Sequence, residues 1–122
     1  MSSVDKGFYI AVFLLPDDRR IKVGKLGTFV FPPGYYFYTG SAKKNLSARL
    51  KRHSLKKKPL RWHIDYLSVK AEMLGAVIIR NEDTTECKLA KKLDKLFDLA
   101  VADFGSSDCC CGGHLFYSEQ IP

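Results

Sequence analysis

Residues 35–53 read YYFYTGSAKKNLSARLKRH, and the stretch changes character midway. YYFYT (35–39) has the aromatic, β-favouring content of a strand, and Gly40 is expected to end it. Asn45 is a good N-cap for a helix over 46–55. With Leu46 as the reference on a helical wheel, Arg49, Leu50 and His53 all fall within about 60° of it, at about 100° per residue. Arg49 and His53, i and i+4 neighbours, therefore flank the apolar stripe at its edge. A side chain at that edge can rest on a sheet and still reach a groove.

Outward from this stretch, GFYIAVFLL (7–15) reads as a strong buried strand. PDDRR (16–20) is a turn signal, and two short strands are expected around IKVG (21–24) and TFVF (28–31) before PPG (32–34). RWHIDYLSV (61–69) fits a short helix, and MLGAVIIR (73–80) a buried strand. Asp83 or Thr84 would then cap a helix from 85 to 99. Its stripe is Leu89, Ala90, Leu93, Leu96 and Phe97, with lysines opposite. Residues 104–114 read as a loop, and HLFYSE as a last short strand. The class is α/β, a small mostly antiparallel sheet with flanking helices, in one domain over 1–122.

The 122 residues suffice to bury roughly two-thirds of the unfolded surface. No apolar run is long enough to span a membrane, and the start MSSVDKGFYI lacks the pattern of a signal peptide. A cytoplasmic location is the expectation. The net charge of +7 is uneven: residues 1–64 carry 14 Lys and Arg against 3 acids, whereas residues 65–122 carry 6 against 10. Residues 43–61 hold nine basic side chains and no acid: Lys43, Lys44, Arg49, Lys51, Arg52, Lys56, Lys57, Lys58 and Arg61. Such a block attracts polyanions, so nucleic acid stands level with the plainer reading of a solvated face.

Cysteines stand at 87, 109, 110 and 111. Adjacent cysteines hardly bridge one another, so reduced thiols or a metal are expected. Cys109, Cys111 and His114, with Cys87, have the ligand types of a zinc site, but the spacing is too tight for a standard finger. A reduced structural loop is the simpler expectation.

GFY with Tyr9, YTG with Tyr38, Arg49 and His53 on the following helix, and Glu86 in ECKLAKKL occur in the order that the GIY-YIG endonuclease superfamily uses. The chain resembles that superfamily over nearly its whole length. RWHIDYL and GSSDC-x-C-x-x-HL also resemble a compact branch known as a domain of unknown function, found alone or fused to endonuclease III-like glycosylases. The resemblance implies a GIY-YIG nuclease-like fold and a metal-dependent DNA endonuclease, with a link to DNA repair. It implies Tyr9 as base, Tyr38 and His53 positioning water or assisting proton transfer, and Glu86 as ligand of one Mg²⁺ or Mn²⁺. Twenty-eight residues lie between Tyr9 and Tyr38, room for an extra hairpin over 21–31.

The chemistry asks for these residue types. One Glu can hold one divalent cation while leaving sites for water and phosphate, and the cation acidifies bound water. Arg49 can grip phosphate oxygens in fork geometry. A Tyr serves as base only where nearby positive charge lowers its pKa of roughly 10. Plainer roles stay open: sheet aromatics for Tyr9 and Tyr38, a solvated cation for Arg49, and a helix C-terminal charge partner for His53. His63 fits either a core hydrogen bond or a phosphate contact, and the structural role is preferred. Asp83 and Glu86 have the spacing of a capping box, while Glu86 also lies in line with Ala90, Leu93 and Phe97, and the ligand role is preferred. Two alternatives to the nuclease stand beside it: a nucleic-acid-binding module without catalysis, and a zinc-binding interaction domain.

Overall fold

A computed structural model describes residues 6–79, 85–100, 104 and 113–119, the side chains of Glu86 and Cys87 excepted. β1 (Gly7–Leu15) and β4 (Gly34–Ala42) run antiparallel over nine paired positions, from Gly7 opposite Ala42 to Leu15 opposite Gly34. Between them, β2 (Arg19–Val23) and β3 (Gly27–Phe31) form a separate two-stranded sheet, the hairpin expected between the two motifs. α1 (Leu46–Ser54), α2 (His63–Ser68), β5 (Glu72–Ile79), α3 (Glu86–Asp94), β6 (Asp98–Leu99) and β7 (Leu115–Ser118) follow. The main sheet has the order β5-β1-β4-β7-β6, and every pairing is antiparallel.

Alternation along β1 divides the interior in two. Tyr9, Ala11, Phe13 and Leu15 enter the main core with Tyr36 of β4, Leu46 of α1, Ile64 and Leu67 of α2, and Ile21, Val23 and Phe31 of the hairpin. Ile10 points to the opposite face, where Ala90 and Leu93 of α3 pack with Phe37 and Phe116. α1 and α2 thus lie on one side of the sheet and α3 on the other.

Four details differ from the sequence reading. β4 continues through Gly40 to Ala42, because the glycine is needed for a close approach within the strand rather than for a turn. β5 is an edge strand, paired with β1, and Leu74, Val77 and Ile78 are exposed; an apolar run does not distinguish edge from centre. Asn45 adopts the left-handed conformation with φ 57° and makes no side-chain cap; its carbonyl accepts from the Arg49 N–H at 3.0 Å. Asn tolerates that conformation better than most residues. Finally, α3 stops at Asp94, and Asp98 and Leu99 pair with β7. Leu96 is left exposed, while Phe97 stacks on Phe37 at 4.3 Å. The periodic spacing persists beyond the helix because the turn that follows still delivers Phe97 to the sheet. Among the described residues no helix is long and apolar enough to cross a membrane.

Two glycines separate backbone strain from composition. Gly34 has φ +147°, and a Cβ there would stand 2.7 Å from Tyr117 Cε1 and 2.9 Å from the Ser118 carbonyl oxygen. Gly75 has nothing within 4 Å of such an atom. Gly34→Ala is expected to destabilise the fold by more than about 1 kcal/mol, and Gly75→Ala to be neutral or stabilise it by a few tenths. Thermal melts of both variants check this; equal melting temperatures would contradict the assigned β4–β7 register.

Candidate active site

Tyr9 on β1 stands opposite Gly40 on β4. Its ring lies so close across the glycine that a Cβ at position 40 would fall 2.5 Å from the Tyr9 Cζ and Oη. Only glycine gives the ring this room. The Tyr9 hydroxyl then reaches the His53 Nε2 at 2.7 Å, and both side chains are almost wholly buried. Tyr38, on the same face of β4, sets its ring edge-on to His53 at 5.9 Å between centroids. His53 Nδ1 is buried and has no hydrogen-bond partner among the described residues. Buried polar groups are nearly always satisfied, so an orphaned one invites a functional account.

Arg49 stands one turn before His53 on α1. Its guanidinium donates to the Ser41 carbonyl and lies 4.8 Å from the centre of the Trp62 ring. Arg52 lies 5.0 Å from the same ring. Arg52 also donates to Asp65 Oδ2 at 2.7 Å, and the backbone N–H groups of Arg61 and Trp62 reach that oxygen at 2.8 and 3.0 Å. Asp65, at the third position of α2, thereby returns a hydrogen bond to the N-cap amide of its own helix. Lys58 turns inward, with its side chain 1 % exposed. Its ammonium donates to the Arg52 carbonyl at 2.8 Å, the His53 carbonyl at 3.3 Å and Ser68 Oγ at 2.6 Å, beside Asp65 Oδ1 at 3.8 Å. It closes the C-terminal carbonyls of α1 and ties them to α2.

The electrostatics follow from this burial. Desolvation, reinforced by Lys58 and by Arg49 and Arg52 against the opposing pull of Asp65, pushes His53 down to about 4. His53 is therefore neutral at pH 7. Burial works against the Asp65 carboxylate, but the Trp62 and Arg61 amides and Arg52 outweigh it and hold the carboxyl below its usual range. Burial also lowers Lys58, although Asp65 opposes that shift.

Among the expected cations, Lys43, Lys44, Lys51, Lys57 and Arg61 are exposed. Lys56 reaches the Ala71 carbonyl. Lys58 belongs to the interior and not to the basic surface, a change that sequence could not signal because its neighbours Lys56 and Lys57 look identical. Trp62, Asp65 and Ser41 were not singled out by sequence. An Asp three residues after the N-cap was the legible hint for Asp65. His63 is half-buried, with its ring against Phe104 at 5.5 Å. His114 is buried, with Nδ1 2.8 Å from Thr39 Oγ1. Cys109 and Cys111 lie outside the described residues.

Glu86 opens α3, on the face of the sheet away from Tyr9 and His53. The N-cap is Thr85, whose side chain accepts from the Lys88 N–H at 3.1 Å. Glu86 is thus the first helical residue, and the capping box from Asp83 does not apply; Asp83 itself lies outside the described residues. No three His, Cys, Asp or Glu side chains gather among the described residues. Asp65, the carboxylate whose charge acts on His53, is closed by two cations and two amides. The described residues therefore do not build a metal site by themselves.

Stability should depend on pH through His53. Above about pH 6.5 the imidazole is neutral in both folded and unfolded chains. Between 6.5 and 4 the unfolded chain takes up a proton that the native His53 refuses, so stability falls as pH falls. From pH 8 to 4.5 the loss is expected to reach about 2–3 kcal/mol, with a further loss below 4 as Asp65 is protonated. Urea unfolding across this range measures it; a flat profile would mean that water reaches His53.

The chain matches no curated protein and no solved structure. A family model does match, over residues 8–122, covering the β1–β4 core, both helices beside it and the last strand. The chain belongs to the family described as Domain of unknown function DUF123.

Proposed function

We propose that the protein is a GIY-YIG-type phosphodiester hydrolase, a metal-dependent endonuclease that acts on DNA. The observation that carries this reading is the buried Tyr9–His53 hydrogen bond, with Tyr38 beside it and Arg49 one helical turn away. An ordinary core seldom spends two polar groups, one with an orphaned nitrogen, where two apolar side chains would pack. The exposed cations along residues 43–61 support a polyanionic substrate.

In this reading Arg49 keeps donors beyond the one given to Ser41, and these grip two phosphate oxygens. A water oxygen attacks phosphorus, and its proton passes to the Tyr9 oxygen while the Tyr9 phenolic proton passes to His53 Nε2. The bond from phosphorus to the leaving oxygen breaks, and that oxygen takes a proton from solvent. The free protein disfavours an imidazolium at His53, through burial and the surrounding cations. A phosphate seated on Arg49 offsets those cations and raises the basicity of His53 where it is needed. A divalent cation, when bound, supplies charge neutralisation on the phosphate. Glu86 is the carboxylate that the resemblance offers for Mg²⁺ or Mn²⁺, but α3 packs on the other face of the sheet from Arg49, so the Glu86→Gln test below decides whether it has that role. A cytoplasmic site of action and a part in DNA repair belong to the same reading.

The low exposure of Tyr9, 2 %, favours a second reading, a nucleic-acid-binding module without chemistry. Nicking of supercoiled and branched DNA in Mg²⁺ or Mn²⁺ separates the two. Tyr9→Phe is expected to slow nicking by about a hundredfold or more, and Arg49→Lys, which keeps charge but loses the fork, by a comparable factor. Glu86→Gln is expected to abolish cleavage with little change in melting temperature, because Thr85 supplies the cap. DNA binding without nicking in the parent protein would establish the second reading instead.

A further inference from the structure

We infer that Trp62 is a stacking platform for an unpaired nucleobase, so that the substrate is DNA with an unpaired nucleotide beside the phosphate held by Arg49. This rests on the reading of Arg49 as the phosphate-gripping residue. Trp62 is the chain's one tryptophan, and it remains 36 % exposed although two guanidiniums already lie 4.8 and 5.0 Å from its ring centre. The role of this position in starting α2 belongs to its backbone, whose N–H binds Asp65 Oδ2 and whose carbonyl accepts from the Asp65 N–H at 3.0 Å. Neither bond needs an indole. The ring is instead set between the surface and the site, 6.0 Å from His53.

Its neighbours share the same mixed character. Leu55 and Leu60 are exposed, interleaved with the cations Lys56, Lys57 and Arg61. Exposed apolar surface beside cations suits a strand of nucleic acid whose bases are out of the stack: phosphates meet the charges, and a base covers the ring. Stacking tolerates any base, because each has a π-face, but a base inside a duplex is already covered on both sides. The arrangement therefore selects for unpaired nucleotides, as found at flaps, gaps and junctions, over continuous duplex.

Because the chain has a single tryptophan, its intrinsic fluorescence reports on this ring alone. The test titrates the full chain in EDTA with an oligothymidylate, with an abasic oligomer of the same length and charge, and with a blunt duplex. The oligothymidylate is expected to quench Trp62 and to bind about tenfold or more tightly than the abasic strand, the scale of one stacked base. The duplex should quench weakly. Followed by the anisotropy of a dye-labelled oligomer, because these variants carry no tryptophan, Trp62→Leu should reduce the ratio of base-bearing to abasic affinity to about one, while Trp62→Phe retains most of the preference. Equal affinity for the base-bearing and abasic strands, or binding without quenching, overturns the inference, and this comparison on the parent protein decides even if Trp62→Leu fails to fold. Quenching in a protein that never nicks DNA would sink the hydrolase and leave the platform standing. Nicking without base preference would do the reverse.

Discussion

A phenol and an imidazole from positions 44 residues apart meet at 2.7 Å with almost no water around them. This contact constrains the elements about it. Tyr9 must come from β1 on the face toward α1, which fixes the phase of the strand. Gly40 must lack a side chain, because the Tyr9 ring occupies that space. α1 must present His53 inward, with Arg49 one turn earlier at the margin of the sheet. The pair is costly as mere packing, since it removes two polar groups from water and, among the described residues, leaves Nδ1 without a hydrogen-bond partner.

Around this pair the protein arranges cations whose charge acts on a neutral imidazole. Arg49, Arg52 and Lys58 all depress its basicity, and Asp65 offsets only part of their effect. Lys58 and Asp65 are held by hydrogen bonds that also join α1 to α2. The same network therefore supports the helix corner and sets the charge state of His53. An anion arriving at Arg49 would change the balance without any movement of the backbone, so recognition and activation of the proposed base are coupled through charge.

Much of the fold was legible. Alternating aromatic and β-branched residues marked β1 and β4, and turn signals marked the inserted hairpin. The i, i+4 relation of Arg49 and His53 placed both beside the sheet. The exposure of β5 was not legible, because an apolar run reads alike at an edge and in the centre. Lys58 was indistinguishable from Lys56 and Lys57 until the path of residues 55–62 brought it under α1. Trp62 was passed over because its value depends on Arg49 and Arg52, which helix spacing alone does not aim at a residue thirteen and ten positions later. Glu86 was correctly placed near the start of α3. The sequence reading put the helix cap at Asp83 or Thr84, whereas Thr85 fills that role.

The central claim is that His53 is a silent base in the free protein and becomes basic when a phosphate reaches Arg49. The side-chain nitrogen resonances of His53, followed by NMR from pH 8 to 4 with and without a non-cleavable phosphorothioate oligonucleotide, test it most directly. The account predicts a neutral imidazole down to about pH 4 in the free protein, and an apparent pKa that rises toward the ordinary value of roughly 6.5 in the complex. Titration near the ordinary value in the free protein, or a profile that does not respond to the oligonucleotide, would contradict it.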